Sequence, residues 1–185
     1  MSNPTIQAEM ETYRDPSGQL IKAVFLDRDG VLVKTYPEGG TTRGPLDMEE
    51  VVILPGVAEA VRRLRENDWI VIGVTNTPDV ARGRLLPVHA DQINGLISQM
   101  TRIRDLLSCP HDRHQQFSCR KPMPGMLFAA AYKWGVSLPN SWMVGDRETD
   151  RQAARRAGCH SILLKPTGHL TNLTEATQWI LDHAP

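Results

Sequence analysis

The sequence carries no excess of charge: 21 Lys and Arg offset 21 Asp and Glu. A nucleic-acid or membrane-surface partner is drawn by a basic balance, so composition gives no electrostatic case for either. Long apolar runs are missing too, and no stretch approaches the roughly 20 residues of a membrane-spanning helix. Cysteine is scarce. Cys109, Cys119 and Cys159 make an odd count without the dense spacing of a disulfide-stapled secreted domain. Internal repeats and low-complexity tracts are also lacking. Residues 1–19 are polar and show no basic-then-apolar leader. These absences predict a cytoplasmic monomer with a loose N-terminal extension over residues 1–19 and one domain over residues 20–185.

What is present is alternation. In "KAVFLDRDGVLV", Ala23–Leu26 reads as a short buried strand and Asp27-Arg28-Asp29-Gly30 as the turn leaving it. Residues 34–50 read as a Gly- and Pro-bearing loop. Pro55-Gly56 opens a helix with Val57, Ala60, Val61 and Leu64 on one face, and Trp69–Val74 is a second strand. Residues 77–87 read as irregular. The spacing of Ile93, Leu96, Ile97, Met100, Ile103 and Leu107 predicts a helix over Val88–Leu107. After a polar loop over Cys109–Pro124 come a helix (Gly125–Trp134), a strand (Ser141–Asp146), a helix (Glu148–Ala157) ending at Gly158, a strand (Ser161–Leu164) and a helix (Thr171–His183) capped by Thr171. Such a series implies an α/β fold, a Rossmann-like parallel sheet with helices on both faces.

Reactive groups in such sheets gather at the carboxyl ends of the strands. Three strand ends here carry Asp27/Asp29, Thr75-Asn76 and Asp146. Converging carboxylates repel unless a cation or proton joins them, and an all-oxygen set suits magnesium. With Thr75 and the Arg120-Lys121 pair alongside, the group has the parts needed to handle phosphate: a cation and Lys121 to neutralise phosphoryl oxygens, and a carboxylate to attack phosphorus. A structural turn, by contrast, has little use for two acids.

"FLDRDGVL", "TN" at Thr75-Asn76, "CRKPMPGML" and "VGDRETD" resemble the four motifs of the haloacid-dehalogenase-like (HAD) phosphatases. They most resemble the subgroup of heptose-bisphosphate and histidinol-phosphate phosphatases. The resemblance spans about residues 20–183, and the connection between Leu32 and Val51 is too short for a separate cap domain. The resemblance implies Asp27 as nucleophile and Asp29 as general acid/base. Magnesium would be held by Asp27, Asp146 and the Asp29 backbone carbonyl, with Asp150 behind them. Thr75 and Lys121 would hold the phosphoryl group, and Asn76, Arg120 and Arg147 the substrate. The implied activity is phosphate removal from a small sugar phosphate, foremost the 7-phosphate of D-glycero-manno-heptose 1,7-bisphosphate. Its alternatives are a histidinol-phosphate-type phosphatase or a catalytically silent binding module. The family's Gln-Ser-Gly is here Thr77-Pro78-Asp79, which changes the rim.

"CPHDRHQQFSCRKP" sets Cys109 and His111 ahead of Cys119, beside Lys121, a thiolate–imidazole spacing suited to structural zinc. The resembling phosphatases supply Cys-x-His followed by Cys-x-Cys. Phe117 occupies the third of those four positions here, and His114 is the substitute expected to complete the set. The alternative is a loop without zinc in which Phe117 packs inward.

Overall fold

The computed structural model describes residue 18, residues 20–115 and residues 117–183, so nearly all of the predicted extension over 1–19 lies outside the described residues. Strand β1 (Ala23–Leu26) leads through a small hairpin, β2 (Tyr36–Glu38) and β3 (Thr41–Arg43), to helix α1 (Val57–Glu66) and strand β4 (Ile70–Asn76). A single turn, α2 (Pro78–Ala81), and the longer α3 (Pro87–Thr101) precede β5 (Asp105–Cys109). Then follow α4 (Gly125–Trp134), β6 (Trp142–Gly145), α5 (Glu148–Ala157), β7 (His160–Leu163) and α6 (Leu173–Asp182).

Five strands form one parallel sheet in the order β5-β4-β1-β6-β7. The chain runs outward from β1 to β4 and β5, then returns to the other side of β1 for β6 and β7. Strand order therefore reverses between β1 and β6, and a crevice opens beyond their carboxyl ends. Alternation along β1 divides the core. Val24 and Leu26 pack with α1, α3 and α6, whereas Ala23 and Phe25 pack with α4 and α5. All four are fully buried, as a central strand covered on both faces requires. The connection from Leu32 to Val51 holds only the hairpin, so no cap domain is inserted there.

Four expectations are corrected. The helix predicted over Val88–Leu107 stops at Thr101, because Arg102 turns left-handed (φ 58°); Leu106 and Leu107 belong to the edge strand β5. Apolar residues at 103 and 107 continue a helical period by coincidence, and neither Gly nor Pro marks the break. The loop over 34–50 contains the β2–β3 hairpin, joined through Gly39 and Gly40, both at positive φ. The irregular stretch 77–87 includes α2. Asn172, not Thr171, caps α6: its side chain accepts from the Glu175 N–H, while Thr171 donates to the Glu175 carboxylate.

Candidate active site

Asp27 follows β1 into the crevice, its N–H bonded to the Val144 carbonyl at 2.9 Å. The chain then turns at Gly30 (φ 86°). A Cβ there would fall 2.5 Å from Asp146 Oδ2, so only glycine lets the turn approach the end of β6. Asp150 comes from the first turn of α5, where its Oδ2 accepts the Arg147 N–H at 3.0 Å. Asp27, Asp146 and Asp150 each place a carboxylate oxygen within 4.8 Å of the others.

Lys121 enters this group from the opposite loop and is 3% exposed. Its ammonium contacts Asp27 Oδ1 at 2.8 Å, Asp150 Oδ1 at 2.7 Å and the Val74 carbonyl at 2.8 Å, which uses all three of its donors. Burial pulls the Lys121 pKa down, but the two carboxylates outweigh it and the net shift is upward. Burial pushes Asp27 up to about 7 against the pull of Lys121, with Asp150 and Asp29 adding to the rise. Asp146 is raised as well, chiefly by burial, with Arg147 opposing.

Thr75 and Asn76 end β4 on the same side. Thr75 is buried, and Asn76 makes a reciprocal pair with the Lys121 backbone: Nδ2 donates to its carbonyl at 2.9 Å and Oδ1 accepts its N–H at 3.0 Å. That pair locks the loop bearing Arg120 and Lys121 to the central sheet. Asp27, Asp29, Thr75, Asn76, Arg120, Lys121 and Arg147 line one cleft of about 220 Å³. The structure thus brings together all seven residues expected to act on the phosphate or the substrate. A larger cavity, about 1030 Å³, opens at the amino-terminal ends of the strands against Lys22, Trp69 and Arg102. Asp68 is the one acid lining it, so it offers no carboxylate cluster for this chemistry.

The donor set fits magnesium. It is all oxygen, and Asp146 Oδ1 is buried without a hydrogen-bond partner among the described residues, with Arg147 Nε 3.9 Å away. Asp29 keeps its carboxyl group out of that cluster. Both its oxygens accept from Arg28, Nε at 2.8 Å and Nη2 at 3.0 Å.

Beside the cleft, Cys109, His111 and Cys119 converge: the two sulfurs are 2.9 Å apart, and His111 Nδ1 is 3.5 and 3.3 Å from them. Burial and the neighbouring Cys119 push the Cys109 thiol up to about 12. His114 is exposed on the turn Arg113–Gln115 and is not brought within the group. Phe117 does not pack inward; it is exposed and stacks on His111 with ring centroids 3.4 Å apart. Arg120 donates to the His111 carbonyl at 2.8 Å, so this loop also aims the arginine.

The altered rim is legible in the sequence, but the ion pairs that hold it are not. Asp79, within the departure Thr77-Pro78-Asp79, is buried and ion-paired to Arg84, which reaches Glu38 of the hairpin at 2.7 Å. On the other side Arg147 holds Thr42 Oγ1 at 3.1 Å. The hairpin is thereby tied to both flanks of the cleft. Only the unusual Asp79 and the Gly39-Gly40 turn signalled this in the sequence.

Comparison with known proteins agrees with this geometry. A family model described as HAD-hydrolase-like matches residues 118–182. A D-glycero-beta-D-manno-heptose-1,7-bisphosphate 7-phosphatase of Bordetella bronchiseptica is 36% identical over 145 residues, covering 75% of this chain and 78% of that protein. The enzyme of the same name from Pseudomonas putida is 33% identical, covering 78% and 83%. A crystal structure of D,D-heptose 1,7-bisphosphate phosphatase from B. bronchiseptica, complexed with magnesium and phosphate, aligns with a TM-score of 0.74 at 29% identity. It covers 89% of this chain and all of that one.

Proposed function

The chain belongs to the HAD-like hydrolases, and on that footing we propose that it is a magnesium-dependent phosphatase removing the 7-phosphate from a D-glycero-manno-heptose 1,7-bisphosphate. The observation that carries the chemistry is the buried Lys121 ammonium seated between Asp27 and Asp150, in one cleft with Thr75. The relatives' names supply the substrate.

Magnesium, held by Asp27, Asp146 and the Asp29 backbone carbonyl, would neutralise charge on the transferring phosphoryl group. The Lys121 ammonium, held on Asp27 and Asp150, sets its positive charge beside that group, while Thr75 and nearby backbone N–H groups orient the remaining oxygens. An Asp27 carboxylate oxygen bonds to phosphorus in line as the ester P–O bond breaks, and Asp29 gives its proton to the departing alcohol oxygen. Asp29, now a carboxylate, takes a proton from water. That water attacks phosphorus, the bond to Asp27 breaks, and inorganic phosphate leaves. Arg120, Arg147 and Asn76 face the far end of the substrate, where a second phosphate meets the guanidinium groups.

We also assign a structural zinc to Cys109, His111 and Cys119. The converging thiols and imidazole support this reading, because the loop has little apolar core of its own. The substrate is a small free solute, and among the described residues no helix is long and apolar enough to cross a membrane.

Phosphate release from heptose 1,7-bisphosphate, histidinol phosphate, an aryl phosphate and a nucleotide, each with magnesium or with chelator, tests the reading. The bisphosphate is expected to give the highest kcat/KM, with activity abolished by chelation. A higher kcat/KM on histidinol phosphate overturns the substrate, and no release from any of the four overturns the enzyme.

A further inference from the structure

Residue 28 lies two positions past the end of β1, on the side of the apolar core. It continues the alternation of Val24 and Leu26, both of which pack against α1, α3 and α6. The chain puts an arginine there, and the side chain is 2% exposed. The Arg28 Nη1 donates to Asn94 Oδ1 on α3 at 2.8 Å. Asn94 is itself buried, in a helix that turns Ile93 and Ile97 into the same core. The other edge of the guanidinium, Nε and Nη2, takes the two oxygens of Asp29. Gly44 lies against the same carboxylate, where a Cβ would fall 2.5 Å from both oxygens.

A buried ion pair of this kind adds little net stability over well-packed apolar residues. Its geometry does something an apolar contact cannot. Two parallel N–H bonds fix the plane of the Asp29 carboxylate, and Asn94 fixes the plane of the guanidinium. We propose that Arg28, seated on Asn94, is the positioning residue for Asp29, holding its carboxyl group at the angle from which one oxygen exchanges a proton with the leaving group. This inference rests on the reading of Asp29 as general acid/base. The Arg28 side chain acts through Asp29; its backbone N–H separately donates to Asp27 Oδ1 at 2.7 Å, a contact that does not depend on the side chain.

The test exploits leaving-group chemistry. An alkyl alcohol leaves phosphorus only when it is protonated, whereas p-nitrophenolate needs little help. The ratio kcat/KM covers the steps through departure of the alcohol and isolates the acid half of the cycle. It is measured on a sugar phosphate and on p-nitrophenyl phosphate for Arg28→Lys, Asn94→Ala and Asp29→Asn. Arg28→Lys keeps the charge but cannot span two oxygens. Asn94→Ala leaves the ion pair and frees its orientation, and it carries the test if the lysine variant does not fold. Both variants are expected to lose at least about tenfold more on the sugar phosphate than on the aryl phosphate, in the direction of Asp29→Asn. An equal loss on both substrates, or no loss, beside a clear split for Asp29→Asn overturns the positioning role. No split for Asp29→Asn overturns the reading of Asp29 beneath it, and the inference with it.

Discussion

Replacing Lys121 by methionine removes the cation that holds two buried carboxylates together. At 2.8 and 2.7 Å from Asp27 and Asp150, each contact is a gross attraction of roughly 6 kcal/mol at an effective dielectric constant near 20. Against this stands the desolvation of the ammonium, which is 3% exposed in the fold. Removing one partner of a buried pair costs about 3–5 kcal/mol net, because the other charges stay behind unpaired. Lys121→Met is therefore expected to lose about that much stability at pH 8, read by urea denaturation. The loss shrinks at pH 5.5, where a proton joins the carboxylates in place of the ammonium. Adding Asp150→Asn should restore much of the stability, since it removes one of the stranded charges, yet kcat stays down by a factor on the order of 10³ because the phosphoryl oxygens still lack their cation. A loss under about 1 kcal/mol at pH 8, or one independent of pH, refutes the argument that this ammonium neutralises the site.

Other perturbations follow from the same geometry. Asp27, raised to about 7 from 3.8, binds more protons in the folded than in the unfolded chain between those values. Its contribution to stability therefore falls as pH rises from about 4 to about 7 in the metal-free protein. Magnesium competes with that proton, so the Tm gained on adding magnesium should be larger at pH 8 than at pH 5; an equal or larger gain at pH 5 contradicts the metal assignment. Arg120→Ala is expected to raise KM for the bisphosphate well beyond its effect on an aryl phosphate, and equal effects remove it from recognition. Protein grown with ample zinc and purified without a metal-binding tag should hold about one zinc per chain, and His111→Ala should weaken its retention against chelator. Negligible zinc, with unchanged activity in Cys109→Ser, removes the metal from that loop.

The centre of the molecule was legible in the sequence because its constraints are local and severe. Ala23–Leu26 is buried on both sides and reads as a continuous apolar run, and the acids at its end have few structural uses. The helix α1 buries the four residues its periodicity names. What could not be read depends on distant partners. The break at Arg102 is set by the pairing of β5 with β4, which no residue near 102 announces. The hairpin is only three residues per strand, held by Arg43–Glu50 and by an Arg84–Glu38 ion pair that spans 46 residues of sequence. In the site, Asp27, Thr75, Lys121 and Asp146 stand at strand ends or in a loop fastened to one, so motif order places them. Arg28 reads in the sequence only as part of the turn after β1, and its hold on Asn94, 66 residues away, is visible only in the fold.

Phosphorus NMR of D-glycero-manno-heptose 1,7-bisphosphate turning over with magnesium, run beside the Asp27→Asn variant, tests the central claim most directly. The account predicts that the 7-phosphoryl signal decays into inorganic phosphate while the 1-phosphoryl signal persists, and that the variant leaves both intact because an amide cannot form the acyl phosphate. Loss of the 1-phosphoryl signal first, or turnover by Asp27→Asn at a rate near that of the unaltered protein, would contradict it.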